Sequence, residues 1–408
     1  ISVKNQGAVS PDDFEADITL RCTEGSFVGE VFIECFDSNG NGIADPFVSE
    51  FLELQEGEEW SLKHTPLLTA AKGTIAEVAV LLVDQSGTGS FIGPESYNRI
   101  PFLVDPEHYL AIEDPTIFPD TEFQQYLHSI DWLGDGYISD YELHQTTYIN
   151  VNNQQIQSLK GIEYFERLTR LDCDHNEITR LDLSRNSRLS EINCQYNQLD
   201  SLILENHSQL SWLSCHDNRL TQLRIYNAPL LSMLFCGNNQ LQDFDFDVMP
   251  QLTDLSADNN PLTHIADFDF EKLPALKMFN LANSQATSFS PVSTSIVTLV
   301  ISGNNNLQNI DLSNCEMLST LHIQSCPVLS DVLTDNPSLT SILLYENPKL
   351  AYIDLSSSTL LSDFSSLGCP LFMLDLTANT QLTTSRFENY GCSFSVTLND
   401  ESAFDLSE

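Results

Sequence analysis

Apolar residues recur through the middle of the chain with a period of about 21 residues. In the first clear copy Leu168 and Leu171 precede Cys173, and Asn176 follows three positions later. Four more copies keep this register, and the last has Ala257 where the others have cysteine. A fixed period of this length is the pattern of stacked coils, in which each coil buries its apolar positions against its neighbours.

Each copy reads L-x-x-L-x-C/L-x-x-N, which matches the leucine-rich-repeat consensus. Looser copies continue downstream through Leu276, Ile296, Leu318, Leu339 and Leu361, and a degenerate copy precedes the clear ones at residues 149–159. We therefore expect about ten or eleven coils. A second apolar pair in each copy, such as Leu202 with Leu204, predicts a short extended stretch on the convex side, because so short a repeat leaves little room for a long helix.

Two columns of residues run through the clear copies. The asparagines are expected to satisfy backbone groups where each strand turns away, since such groups would otherwise be buried unpaired. They are Asn176, Asn197, Asn218, Asn239 and Asn260, and the cysteines of the second column are Cys173, Cys194, Cys215 and Cys236. Cys326 and Cys369 stand at positions equivalent to the asparagines and are expected to fill the same buried turn.

The cysteine column favours free thiols over a disulfide or a zinc site. Side chains on adjacent strands run parallel about 4.8 Å apart, whereas a disulfide needs converging Cβ atoms about 3.8 Å apart. A linear row of sulfur atoms also cannot surround zinc tetrahedrally. We expect buried thiols that pack as small apolar groups.

Residues 115–395 resemble the secreted bacterial leucine-rich-repeat proteins, which are internalin-like in general plan. The resemblance is greatest to the cysteine-bearing repeats of gut-bacterial surface proteins, which read L-x-x-L-x-C-x-x-N-x-L-x-x-L-D-L-S. The line from Leu168 to Asn186 gives that pattern in full. The resemblance implies surface display and binding of a protein or glycan, and it brings no catalytic residues with it.

A helical cap is expected before the first coil, with Asp120 as a helix N-cap. The segment that follows resembles an EF-hand loop, in which Asp131, Asp135 and Glu142 fall at positions 1, 5 and 12. Leu133 stands at position 3, where the family cap has an oxygen ligand. Since calcium needs roughly six to eight oxygens, we expect a weak or empty site and a loop that is kept for capping.

The N-terminal segment, residues 1–105, lacks the repeat and contains alternating strand-like runs. These runs are 17–22, 28–36, 58–62, 77–83 and 99–104, and they predict a small immunoglobulin-like antiparallel β-sandwich. Residues 37–45 begin like a calcium loop, but Val48 replaces the last carboxylate, so a hairpin turn is the better interpretation. Cys22 and Cys35 share the inward phase and either form a bridge or simply pack.

The expected organisation is therefore a leucine-rich-repeat solenoid of parallel β-strands with short or no helices, preceded by a β-sandwich and an EF-hand-like helical cap. The boundaries are 1–105 for the sandwich, 106–115 for a Pro- and acid-rich linker and 116–167 for the cap with the first degenerate repeat. Residues 168–395 form the repeats, and 396–408 are the C-terminal end.

Charge and motifs then narrow the function. The formal net charge is −41, which disfavours nucleic acid and anionic membranes as partners. No apolar run approaches the ~18 residues of a membrane span, and no signal peptide opens the sequence. We expect an extracellular or outer-surface protein whose export signal is not part of this sequence. Phosphate-loop, nucleophile-elbow and zinc-protease motifs are missing from the sequence, so we expect no enzyme and no cofactor beyond the calcium candidate.

The concave face supplies the candidate binding residues. Its outward positions are mostly polar, but Trp212, Met233 and Phe235 are neighbours on adjacent coils, with His216 beside them. Exposed apolar side chains on a polar face are typical of an interface core, which predicts a binding site for a protein or glycan. In the alternative interpretation Trp212 lies flat over its neighbours and shields the strand edges. A structural spacer or adhesin stalk, and a hydrolase using some of the many carboxylates, are the other functions considered.

Overall fold

The computed structural model describes residues 2–5, 16–21, 26–37, 47–48, 52–64, 75–84, 98–103, 109–132, 134–292, 295–382, 384–388 and 395–397. The chain divides into two compact units. The first consists of Ile1–Pro119 and Gln124–Thr146, and the second of Asp120–Phe123 and Thr147–Glu408.

Antiparallel strands form two larger sheets in the described part of the first unit. One contains Ser2–Asn5, Ala16–Arg21 and Glu59–His64, and the other contains Ser26–Asp37, Phe47–Val48, Leu52–Gln55, Ile75–Asp84 and Asn98–Leu103. Each of the five strand-like runs in the sequence falls on one of these strands. Alternate residues Val31, Ile33 and Cys35 are buried, as a strand with one inward face requires. The arrangement of the two sheets as a sandwich stays a prediction.

The predicted hairpin turn and the two cysteines belong to the first unit. The connection at 38–46 lies outside the described residues, but the strands on either side of it, Ser26–Asp37 and Phe47–Val48, pair antiparallel. Cys35 is a free thiol, and burial raises its pKa to about 12. Cys22 lies outside the described residues.

The segment before the first coil contains the strand Tyr109–Ala111, the helix Thr121–Ile130, the strand Tyr137–Ser139 and the helix Asp140–Gln145. The two strands pair antiparallel. Leu110 and Ile112 are buried, so this part of the expected linker is folded structure. The strand Tyr109–Ala111 pairs with a strand of the calcium-like loop. The proline and acidic residues of 106–115 give no sign of this pairing.

Twelve described strands of the second unit form one parallel sheet, called here the long sheet. In order they are Tyr148–Asn150, Arg170–Asp172, Glu191–Asn193, Trp212–Ser214, Met233–Phe235, Asp254–Ser256, Met278–Asn280, Thr298–Ser302, Thr320–Gln324, Ser341–Tyr345, Asp363–Leu367 and Thr384–Glu388. The central residue of each clear copy's strand is inward: Leu171, Ile192, Leu213 and Leu234 are fully buried. The parallel solenoid of about ten turns with few helices is therefore confirmed.

Shorter parallel sheets form from the second apolar pair in most of the described coils. Their strands are Ser201–Glu205, Gln222–Tyr226 and Asp245–Phe246; Ser288–Phe289, Asn309–Asp311 and Asp331–Leu333; and Met373–Asp375 with Ser395–Thr397. Leu183 and Leu355 occupy the same buried position without a described strand. The predicted extended stretch therefore exists in most coils, and burial of the apolar pair does not require a hydrogen-bonded ladder.

The coil after Asp254 departs from the period of the clear copies. Asp254 pairs with Met278 in the long sheet, so this coil is longer than those before it, and it contains the 3₁₀ turns Ile265–Asp267 and Phe270–Lys272. The ring of Phe270 lies 5.7 Å from that of Phe279 and 5.8 Å from that of Phe289. Phe270, Phe279 and Phe289 are all buried, and the register of the long sheet continues across this longer coil.

In successive coils, a residue in the left-handed backbone conformation follows the strand of the long sheet. These residues are Asn153, His175, Tyr196, Asp217, Asn238, Asn259, Asn283, Gly303, Ser325, Glu346 and Gly368, all with φ between 49° and 69°. At Gly303 a Cβ atom would lie 1.8 Å from Oδ1 of Asn283, so a side chain is excluded there as well as disfavoured. The sharp turn sends the chain from the long sheet to the next residue, which is an asparagine in seven of these eleven coils.

Candidate binding surface

The predicted asparagine column holds neighbouring coils together through one repeated set of hydrogen bonds. Asn239 donates from Nδ2 to the carbonyl oxygens of Cys236 at 3.0 Å and of Cys215, one coil earlier, at 3.1 Å. Its Oδ1 accepts from the backbone N–H of Leu220 at 2.9 Å. Equivalent bonds occur at Asn176, Asn197, Asn218 and Asn260. The amide therefore satisfies both a donor and acceptors that the coil turn leaves inside the protein.

A second buried polar column lies on the opposite side of the coil, and the sequence analysis missed it. Asn186, Asn336 and Asn379 donate from Nδ2 to carbonyl oxygens of the preceding coil at 2.9–3.0 Å. His207, which is fully buried, occupies this position one coil after Asn186, and its Nε2 lies 3.2 Å from the oxygen of Leu183. The signal available in sequence was the asparagine that ends the L-D-L-S-x-N segment.

The cysteine column is a row of buried free thiols. Cys173, Cys194, Cys215 and Cys236 are each fully buried. Desolvation raises the pKa of Cys194 to about 12, and it also raises the pKa of Cys215 well above its ordinary value. Thiolate formation is therefore suppressed throughout the column, and these sulfur atoms are unsuited to nucleophilic chemistry. Cys326 and Cys369 are also buried, and Nδ2 of Asn347 lies 3.6 Å from Sγ of Cys369.

The calcium-like loop uses its carboxylates on its own backbone. Asp131 accepts from the N–H groups of Gly134 at 2.7 Å and Gly136 at 2.8 Å. Glu142 is buried and accepts from Trp132 N at 2.7 Å and from Ser139 N at 2.9 Å, the latter as part of a capping box.

The third carboxylate of the loop, Asp135, accepts from the N–H of Tyr137 at 3.0 Å. Leu133 lies outside the described residues. Within the described part of the chain, no group of three or more His, Cys, Asp or Glu side chains is arranged to hold a metal ion.

The outward face of the long sheet, which is the predicted concave face, brings the apolar candidates together. Trp212 and Met233 are directly opposite each other on adjacent strands. The rings of Trp212 and Phe235 lie 6.2 Å apart at an angle of 56°. Met233 is 40% exposed, and Trp212 and Phe235 are half-buried. Met278, opposite Asp254 and 48% exposed, adds a second methionine to this face.

His216 follows the strand Trp212–Ser214, and its ring contacts an aromatic residue that the sequence analysis did not select. Its ring lies 5.3 Å from that of Tyr196, and Tyr196 stacks on His175 at 4.3 Å. Nδ1 of His216 is 2.5 Å from Oδ2 of Asp217, and Nδ1 of His175 is 2.7 Å from Asp174. His175 and Tyr196 belong to the left-handed column, so alternation along the strands gave no sign of them.

The start of the same face carries an ion-pair cluster. Arg170 lies 2.9 Å from Asp172 and 2.9 Å from Glu191, and its Cζ is 5.3 Å from the ring centroid of Tyr148. The hydroxyl of Tyr148 donates to Asp172 at 2.7 Å, and this hydrogen bond raises the pKa of the tyrosine. A guanidinium is therefore held between two carboxylates and an aromatic ring.

The parallel long sheet, the shared buried core and the asparagine turns define a leucine-rich-repeat solenoid. Solved structures that are similar include the functional domain of InlJ from Listeria monocytogenes, described as including a cysteine ladder, with 20% identity over 72% of this chain and 77% of that chain and a TM-score of 0.33. The internalin InlF from Listeria monocytogenes is 18% identical over 72% of this chain and 94% of that chain, with a TM-score of 0.45.

A third similar structure is YopM, a leucine-rich effector protein from Yersinia pestis. It is 22% identical over 60% of this chain and 72% of that chain, with a TM-score of 0.45. No family model and no curated protein matches the chain. Among the described helices, none has the length and apolar character needed to cross a membrane.

Proposed function

We propose that the protein is a non-enzymatic binding protein of the extracellular space or outer cell surface, and that it binds a protein partner through the outward face of the long sheet. The observation that carries the proposal is the cluster of Trp212, Met233 and Phe235 on a face whose other positions are mainly polar. Aromatic and methionine side chains are enriched at the cores of protein interfaces, and charged residues are depleted there.

The exposure of the cluster supports a contact role. Met233 presents 40% of its surface to solvent although Leu234, next to it in the chain, is fully buried. Met278, which is 48% exposed, adds a second methionine two strands further on, beyond Asp254. Burial of such a patch by a partner would be favourable, because it removes apolar area from water.

Two other interpretations make different predictions. If Trp212 only shields strand edges, its removal lowers the stability of the solenoid and leaves binding unchanged. If the protein is a spacer or stalk, no partner depends on this face. A glycan is the alternative ligand, since aromatic rings and polar side chains also occur together in sugar-binding sites.

The test is Trp212→Ala on matched protein and glycan arrays, read together with a thermal melt. We expect binding to weaken by about 2 kcal/mol or more at a hot spot, with a nearly unchanged melting temperature. Trp132→Ala is the matched control, because Trp132 is 58% exposed and belongs to the first unit. Identical array profiles for wild type and Trp212→Ala would refute the proposal. Binding that is confined to glycans would show that the ligand is a glycan and not a protein.

A further inference from the structure

The face of the long sheet already contains one complete site for a guanidinium group. Arg170 lies against the ring of Tyr148 and is paired with Asp172 and Glu191. A planar guanidinium suits such a site, because it stacks on an aromatic ring while its N–H groups donate to carboxylates. The arginine comes from the strand between those of Tyr148 and Glu191, so the protein completes this site by itself.

Aromatic rings and carboxylates also lie near each other further along the face, where no lysine or arginine side chain lies on the described strands of the long sheet from Trp212 to Ser256. Trp212 lies directly opposite Glu191 on the adjacent strand. Tyr196, which follows the strand Glu191–Asn193, is 45% exposed. Asp217 lies on the same coil as Trp212 and is 2.5 Å from Nδ1 of His216. Asp254 lies opposite Met233, two strands beyond Trp212. Among the described residues, no lysine or arginine forms a salt bridge with Asp217 or Asp254.

The charge of the surrounding face points in the same direction. Over the strands from Arg170 to Ser256 the outward positions include Asp172, Glu191 and Asp254, and Arg170 is their single cation. Arg170 is held by two of these carboxylates. The net charge of −41 adds a long-range attraction for cations. An incoming basic group would therefore gain from both the local carboxylates and the field of the whole protein.

We propose that the partner of this face is a basic, arginine-bearing protein segment whose guanidinium groups contact the rings of Trp212 and Tyr196. The carboxylates of Asp217 and Asp254 then pair with its charges, and Met233 and Phe235 contact its apolar parts. This inference rests on the proposed function and names the chemistry of the partner. It repeats between two molecules the arrangement that Arg170 makes within one.

The probes are short labelled peptides of equal length that differ only in carrying arginine, lysine, glutamine or glutamate at the same positions. Fluorescence anisotropy gives their affinities for the full chain. We expect the arginine peptide to bind most tightly, the lysine peptide about three- to five-fold more weakly because it loses the planar stacking contact, and the glutamine and glutamate peptides much more weakly.

Variants then assign the contact. Trp212→Leu and Tyr196→Leu should each weaken the arginine peptide about five-fold and reduce its advantage over the lysine peptide. Asp217→Asn and Asp254→Asn should reduce the salt dependence of binding, and asparagine suits the left-handed backbone at Asp217. Tyr352→Leu is the matched control, since Tyr352 is 55% exposed and lies outside the strands of the long sheet.

The outcomes separate this inference from the proposed function. If neutral or acidic peptides bind as tightly as the arginine peptide and depend on Trp212, the face binds a partner but the basic class is wrong. If the arginine peptide binds wild type and both leucine variants equally, it binds elsewhere on the acidic surface and the inference is overturned. If no peptide, protein or glycan depends on Trp212, the proposed function fails as well.

Discussion

Replacing one amide of the asparagine column tests how the coils are held together. In Asn239→Ala the carbonyl oxygens of Cys215 and Cys236 each keep one donor, because Asn218 and Asn260 also bond to them, both within 3.1 Å. The N–H of Leu220 loses the acceptor that holds it at 2.9 Å. The main effect is therefore that one buried N–H group has no acceptor. The hydrogen bonds that Asn239 donates to the shared carbonyl oxygens are lost as well.

The expected decrease in the free energy of unfolding follows from these lost hydrogen bonds. A stranded buried backbone group costs about 1–3 kcal/mol, and the weakened shared bonds add to it, so we expect about 2–3 kcal/mol for Asn239→Ala. For a domain of this size each kcal/mol lowers the melting temperature by roughly 2–4 °C. Asn239→Asp should be at least as destabilising, because a carboxylate keeps the acceptor for Leu220 but faces the carbonyl oxygens without a donor.

Differential scanning calorimetry and urea unfolding measure both variants. Gln240→Ala is the control, because Gln240 is exposed and adjacent in sequence, and its backbone bond to Leu220 is unaffected. We expect the control to lie within about 0.5 kcal/mol of wild type. A melt of Asn239→Ala that coincides with wild type would show that the amide column contributes nothing to the stability of the solenoid.

Four further predictions concern buried groups, the capping box and the calcium-like loop. Burial lowers the pKa of His207, so the stability that its neutral form supports should be complete above the ordinary pKa of histidine and fall as the pH drops toward the lowered pKa. The free energy of unfolding should show this pH dependence in wild type and lose it in His207→Asn. An equal pH dependence in both proteins would contradict the assignment. Cys194, whose pKa burial raises to about 12, should react with a thiol reagent only in the unfolded chain, and rapid labelling of it in native protein would argue against a closed core. Glu142→Gln should weaken the capping box by about 1 kcal/mol in a thermal melt. Calorimetry of wild type with calcium should show weak or no binding, and micromolar binding that Glu142→Gln abolishes would overturn this expectation.

The repeat period made much of the second unit predictable. In a solenoid each coil contacts only its neighbours, so one buried pattern is repeated from coil to coil at a fixed interval and can be recognised in sequence. Leu171, Ile192 and Leu213 could be assigned to inward positions of adjacent strands for this reason, and the long sheet pairs them in that register. The strands of the first unit were also foreseeable, because alternation of apolar and polar residues is a local signal.

Contacts between residues that are distant in sequence needed the tertiary structure. The predicted linker gave no sign that Leu110 pairs with Ile138, because antiparallel partners share no period. From its position in a motif Glu142 was expected to be at most a weak calcium ligand, and only the folded loop shows that its two oxygens accept from the backbone N–H groups of Trp132 and Ser139.

At the candidate surface the sequence alone determined that Trp212, Met233 and Phe235 would share one face, since strand alternation and the coil period together give each residue a row and a column. Only the tertiary structure placed Tyr196 against His216 and His175. These contacts depend on a left-handed turn and on side chains from three successive coils. Backbone direction at such a turn is set by packing between coils, and no local pattern of apolar and polar residues encodes it.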